Sequence, residues 1–181
     1  MTGPSHRVLS ESEVLSRLKS RRGQPGYLAM FSSWLGGVIT DPALMQIPLD
    51  DHLVHRGHGV FDTCTLSGGN LYRLGVHMDR LLTSAALARI EHSWTKEDLI
   101  QMVMDTASHA RVKDGAVRYW LTAGPGGFSP SPQECDEPCF YCVIIDPVPL
   151  GGTRSDPMSA GIPEATVLDT PMKPPLLATI K

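Results

Sequence analysis

Gly59-Val-Phe-Asp-Thr-Cys-Thr-Leu66, then Ser67-Gly-Gly69, then Asn70-Leu-Tyr-Arg-Leu74 run without a break, and the reading of this stretch decides the fold. Its outer pieces are rich in β-branched and aromatic residues, and the glycine pair supplies the positive φ of a tight turn. The stretch therefore predicts a β-hairpin. The period then changes. Over about 75–90, Met78, Leu81, Leu82, Ala85 and Ile90 recur at helical spacing. Thr95-Lys-Glu-Asp98 opens a second helix as a capping box, with Leu99, Met102, Val103, Thr106 and Ala110 as its inward stripe.

Upstream of the hairpin, Ser10–Ser20 reads as a short helix with Val14, Leu15 and Leu18 on one side, ended by Arg21-Arg-Gly-Gln-Pro-Gly26. Tyr27–Phe31 and Val38–Thr40 read as strands joined through Gly36-Gly37. Downstream of the helices, Asp114-Gly115 turns into the strand Ala116–Thr122, Gly124-Pro-Gly-Gly127 breaks it, and Phe140–Ile145 is an apolar strand. The order β-β-β-β-α-α-β-β is that of a compact α+β domain, an antiparallel sheet with two helices. The expected division is an N-terminal helix and linker over 1–26, a small α+β domain over 27–150, and a connector with the start of a further domain over 151–181.

The composition restricts the function. The 16 basic and 19 acidic residues are interspersed and leave a net charge of −3, so no basic surface for nucleic acid and no polybasic membrane patch is expected. No apolar run reaches the ~18 residues of a membrane span. The N-terminus lacks the apolar core of a secretory signal, and the four cysteines then point to reduced thiols in a cytoplasmic compartment.

Several groups invite a chemical reading. His77 and Arg80 stand three apart on the first of the two helices, so both project from one face, and an arginine fork fits phosphate oxygens in two-point contact. His52, His55 and His58 do not converge in either an extended or a helical segment, and Cys139 and Cys142 fall on opposite faces of a strand, so no metal is expected. Gly124-Pro-Gly-Gly127 is either an anion cradle of backbone N–H groups or a plain turn, and it lacks the Lys-Ser/Thr of a nucleotide loop. Lys181 follows a Pro-rich approach and an apolar run. Partial desolvation of its amine would lower its pKa and make it nucleophilic toward a carbonyl.

Taken in order, His55-Arg-Gly-His-Gly-Val-Phe-Asp-Thr63, His77-Met-Asp-Arg80-Leu-Leu-Thr-Ser-Ala85, Arg118-Tyr-Trp-Leu-Thr-Ala-Gly124 and Lys173-Pro-Pro-Leu-Leu-Ala-Thr-Ile-Lys181 resemble the class IV, or fold-type IV, aminotransferases. The resemblance runs from about Val8 to Lys181 and is strongest to plant-type D-amino-acid aminotransferases, which are grouped with the aminodeoxychorismate lyases. It implies the fold-type IV small N-terminal domain, pyridoxal phosphate as cofactor, amino and keto acids as substrates, and a homodimer. It assigns Lys181 as the lysine that carries the cofactor, Arg80 as the arginine that grips the cofactor phosphate, Phe61 as an aromatic beside the substrate, and Arg118 as a contact for the substrate carboxylate. Where some D-amino-acid enzymes carry an arginine just before the strand-end glycine, Ala123 stands here.

The implied reaction is transamination, D-alanine with a 2-keto acid being the expected pair. The lyase that forms p-aminobenzoate and pyruvate is the alternative, and a non-catalytic or dimerising fragment is the alternative outside enzymology. The resemblance further implies a larger second domain beyond Lys181, so this chain is expected to be truncated and, by itself, weakly active or inactive. A plastid location is the alternative to the cytoplasm.

Overall fold

The computed structural model describes residues 6–21, 26–146 and 180. The elements follow in order as α1 (Glu11–Arg21), β1 (Tyr27–Ser32), β2 (Gly37–Ile39), α2 (His52–Arg56), β3 (Gly59–Ser67), β4 (Asn70–Leu71), α3 (Leu74–Leu87), α4 (Lys96–Ala110), β5 (Gly115–Thr122) and β6 (Cys139–Ile145). Short 3-10 turns lie at Pro42–Leu44 and Pro132–Glu134.

The expected hairpin is present. Leu66 pairs with Leu71 and Ser67 with Asn70, while Gly68 and Gly69 take φ of 55° and 81°, the left-handed pair that lets a two-residue turn match strand twist. β4 is shorter than expected because Arg73 turns left-handed, at φ 51°, and starts α3 at Leu74. The helix at Thr95 has its full capping box. The Thr95 hydroxyl accepts from the Asp98 N–H and the Asp98 carboxylate accepts from the Thr95 N–H.

All six strands join one antiparallel sheet in the order β2-β1-β6-β5-β3-β4. Pleating gives the sheet two faces. On one, Val60, Cys64, Leu66, Val117, Tyr119, Leu121, Phe140, Cys142 and Ile144 bury against Leu74, Met78, Leu81 and Ala85 of α3 and Leu99, Val103 and Ala107 of α4. Each buried side chain of this size contributes about 2 kcal/mol. The other face carries a smaller cluster of Met30, Met45, Cys139, Tyr141 and Val143. Toward β3 and β5 this face opens, leaving Phe61 and Arg118 exposed.

The expected apolar stripe of α1 buries none of its residues, and Val14 and Leu15 stay exposed. The histidine-rich segment folds into α2. Asp51 caps it by accepting from the Leu53 N–H at 2.8 Å, and its buried carboxylate also accepts from Thr122 Oγ1 at 3.0 Å and Tyr141 Oη at 2.9 Å. His52 Nε2 lies 2.9 Å from Glu134 and His58 Nε2 lies 3.0 Å from the Ala88 carbonyl, so both rings tie loops together. The Gly124–Gly127 stretch is an irregular segment whose Pro125 forms an antiparallel bridge with Asp51. The Gly124 N–H donates to Thr122 Oγ1 and the Gly126 N–H to the Asp50 carbonyl. Cys139 and Cys142 fall on opposite faces, as the strand period requires. The segment 151–179 and Lys181 lie outside the described residues.

Candidate active site

β3 places side chains alternately inward and outward, and Asp62 falls on the inward phase between Val60 and Cys64. A carboxylate buried there requires a counter-charge, because removing an ion from water costs several kcal/mol. α3 supplies it. Arg80 Nε donates to Asp62 Oδ2 and Nη2 to Asp62 Oδ1, each at 2.6 Å, a two-point fork at the outer rim of the sheet. These bonds raise the already high pKa of the guanidinium.

Asp62 is fully buried whereas the Arg80 side chain is 49% exposed, so one guanidinium edge is held by the fold and the rest faces solvent. His77, one turn earlier on α3, places Nδ1 3.1 Å from Arg80 Nη2 and 3.4 Å from Asp62 Oδ1.

Two adjoining concavities meet at this rim. One, of about 240 Å³, is lined by Tyr72, Arg73, Val76, His77 and Arg80. With two arginines and a histidine in its wall, it suits a phosphate-sized anion. The other, of about 590 Å³, lies over the open sheet face and is bordered by Thr63, Thr65, Tyr72, His77 and Arg118 among others. Tyr72 and His77 belong to both.

Arg118 faces Thr63 across the β3–β5 ladder, and Phe61 faces Trp120 two residues away, so Phe61 and Arg118 lie diagonally on the same open face. Arg80 and Arg118 border adjoining concavities that share Tyr72 and His77, whereas Phe61 lines neither and stands on the open face, diagonal to Arg118; Lys181 lies outside the described residues. Sequence reasoning missed Asp62 and Arg73. An acid inside the apolar phase Val60-x-Asp62-x-Cys64-x-Leu66 was the signal for the first. The left-handed turn that brings in the second left no such mark.

Burial pushes the thiol of Cys64 up to about 11, and the phenol of Tyr119 and the thiol of Cys142 are raised for the same reason. These groups beneath the site stay neutral and serve as packing. Among the described residues no set of three or more His, Cys, Asp or Glu side chains could hold a metal ion.

The chain is similar to known proteins along most of its length. Residues 59–180 match the sequence model of the amino-transferase class IV family. A chloroplastic D-amino-acid transaminase of Arabidopsis thaliana is 44% identical over 174 residues, which is 96% of this chain and 45% of that protein. A putative branched-chain-amino-acid aminotransferase of Methanocaldococcus jannaschii is 31% identical over 119 residues, 66% of this chain and 41% of that one. The chain thus spans less than half the length of these curated relatives.

Among solved structures, the branched-chain amino acid aminotransferase of Escherichia coli superposes with a TM-score of 0.61 at 17% identity, over 70% of this chain and 42% of that one. The branched-chain aminotransferase of the archaeon Thermoproteus uzoniensis, with norvaline, does so with 0.56 at 20%, over 67% and 41%. At such identities the likeness establishes the fold, that of the fold-type IV small domain. With two-thirds of its length matched by the family model, this chain belongs to the class IV aminotransferase family.

Proposed function

We propose that the chain contributes the small-domain half of a pyridoxal-phosphate site that exchanges amino groups between amino acids and 2-keto acids, D-alanine being the donor to test first. The observation that carries the reading is the Asp62–Arg80 fork with its solvent-facing edge beside Arg73 and His77. It offers a preorganised cationic rim, which fits a phosphate monoester. The family match and the transaminase relative support the rest.

Bound at this rim, pyridoxal phosphate would supply the electron-withdrawing ring that makes a substrate α-proton acidic. Arg80 would hold the phosphate and fix the distance of the ring from the sheet. Phe61 would wall the open face and exclude water from the reacting carbon. Arg118 would take the substrate carboxylate on the same face. Lys181 would carry the cofactor and move a proton at the substrate α-carbon with its amine, a role that rests on the sequence motif alone.

The boundaries 27–150 for the small domain and 151–181 for the connector and the next domain are part of the same proposal. So is the homodimer that the resemblance implies. No described helix is long and apolar enough to cross a membrane.

The test is titration of pyridoxal phosphate into the purified chain, followed by its absorbance, together with amino exchange between D-alanine and 2-oxoglutarate. Saturable binding that Arg80 variants weaken supports the reading. Binding indifferent to Arg80 contradicts it.

A further inference from the structure

We infer that Asp62 is a positioning residue of the anion site, presetting the Arg80 guanidinium so that one edge is committed to the protein and the other faces the recess. The inference rests on the reading of Arg80 as the phosphate grip. Two parallel 2.6 Å bonds fix the guanidinium plane, and the carboxylate is itself anchored, because Asp62 Oδ1 also accepts from the Thr63 N–H at 2.6 Å. His77 Nδ1 closes the third side, 3.1 Å from Arg80 Nη2. These contacts use Nε and Nη2, which leaves Nη1 for an incoming acceptor.

Two effects of Asp62 oppose each other. Its charge stands behind the guanidinium and repels an anion in front. Asp62 is enclosed while the anion stands in solvent, so an effective dielectric of about 40, between water and the protein surface, applies; over about 7 Å one charge against another then changes affinity about sevenfold. Against this, an untethered arginine must be frozen by the anion it binds, and its rotamer entropy of about 2 kcal/mol corresponds to about 30-fold in affinity. Preorganisation outweighs repulsion, so replacing the carboxylate by an amide of the same shape weakens anion binding about fourfold. Salt separates the two effects. It screens the repulsion and leaves the entropy untouched, so the loss grows with ionic strength.

The experiment is a titration of inorganic phosphate at pH 6, followed by phosphorus NMR, into the 181-residue chain, Asp62→Asn, and the double variant Asp62→Asn/Arg80→Gln. Low and high potassium chloride are compared, with circular dichroism reporting the fold. Asp62→Asn is expected to bind phosphate about fourfold more weakly than wild type, by a margin that widens at high salt, and the double variant to lose binding.

Equal or tighter binding by a folded Asp62→Asn chain, with the double variant still inert, overturns the positioning role and leaves the anion site standing. Absence of binding by wild type, or binding that survives in the double variant, overturns the anion site and this inference with it. Should Asp62→Asn not fold, Asp62→Glu answers the same question. It keeps the charge and leaves Arg80 intact but shifts the carboxylate out of register with the guanidinium fork, so it is expected to bind at least about fourfold more weakly, and wild-type affinity overturns the inference.

Discussion

Replacing Arg80 by alanine takes the forked guanidinium from the buried Asp62 carboxylate and leaves it the weaker contact to His77 Nδ1 at 3.4 Å. Breaking a wholly buried ion pair costs about 3–5 kcal/mol. Here only Asp62 is fully enclosed. The Arg80 side chain is 49% exposed, so water enters the vacated space and screens part of the loss. The expected cost is therefore about 2–3 kcal/mol. With a urea m-value of about 2 kcal/mol/M for a domain of this size, the unfolding midpoint should fall by about 1–1.5 M. Asp62→Asn should relieve most of this. An amide needs no counter-ion, so the double variant should be more stable than the sum of the single losses predicts, by about 2 kcal/mol. Equilibrium urea denaturation followed by circular dichroism measures all four proteins. An Arg80→Ala chain within about 0.5 kcal/mol of wild type, or strictly additive losses, would refute the reasoning that Asp62 depends on Arg80.

Gly124→Ala should cost at least about 3 kcal/mol by thermal unfolding, because Gly124 has φ 93° and its added Cβ would run into the Glu137 carbonyl. Thr95→Ala should lower stability by about 1 kcal/mol through loss of the α4 cap. The Asp98 carboxyl is held below its ordinary pKa by hydrogen bonds from the Thr95 side chain and backbone. Its contribution is therefore fully present above the ordinary carboxylate range and should fade as pH falls through and below it, and Thr95→Ala should shrink that fading in an acid titration followed by circular dichroism. Of the four cysteines, Cys135 is partly exposed while Cys64, Cys139 and Cys142 are buried, so Ellman's reagent at pH 8 should find one accessible thiol before denaturation and four after it.

The parts of the fold legible in the sequence are those set by local chemistry. The Gly68-Gly69 turn, the Thr95–Asp98 cap and the strands around Ala116–Thr122 and Phe140–Ile145 each rest on a turn residue, a cap or a period that nearby residues specify. The short helix at His52–Arg56 was not legible. It has no helical period of its own and depends on Asp51, whose carboxylate is held by Thr122 and Tyr141 from distant strands. The stripe of α1 illustrates the converse, since its period is genuine but it buries none of its residues.

Within the site, the helical spacing of His77 and Arg80 correctly put both on one face. The sequence said nothing of the partner across 18 residues that fixes Arg80 in place. Arg118 and Phe61 share a face because β3 and β5 pair in a register that places Thr63 opposite Arg118. That register comes from the whole sheet and from no local signal.

The central claim is that the rim at Arg80 holds the phosphate of a cofactor whose aldehyde is carried by Lys181. Pyridoxal phosphate reduced with borohydride onto a polypeptide carrying this sequence, then located by peptide mapping, tests it most directly. The account predicts a single label on Lys181 that Asp62→Asn/Arg80→Gln strongly diminishes. A label on another lysine, or labelling of Lys181 indifferent to that double variant, would contradict it.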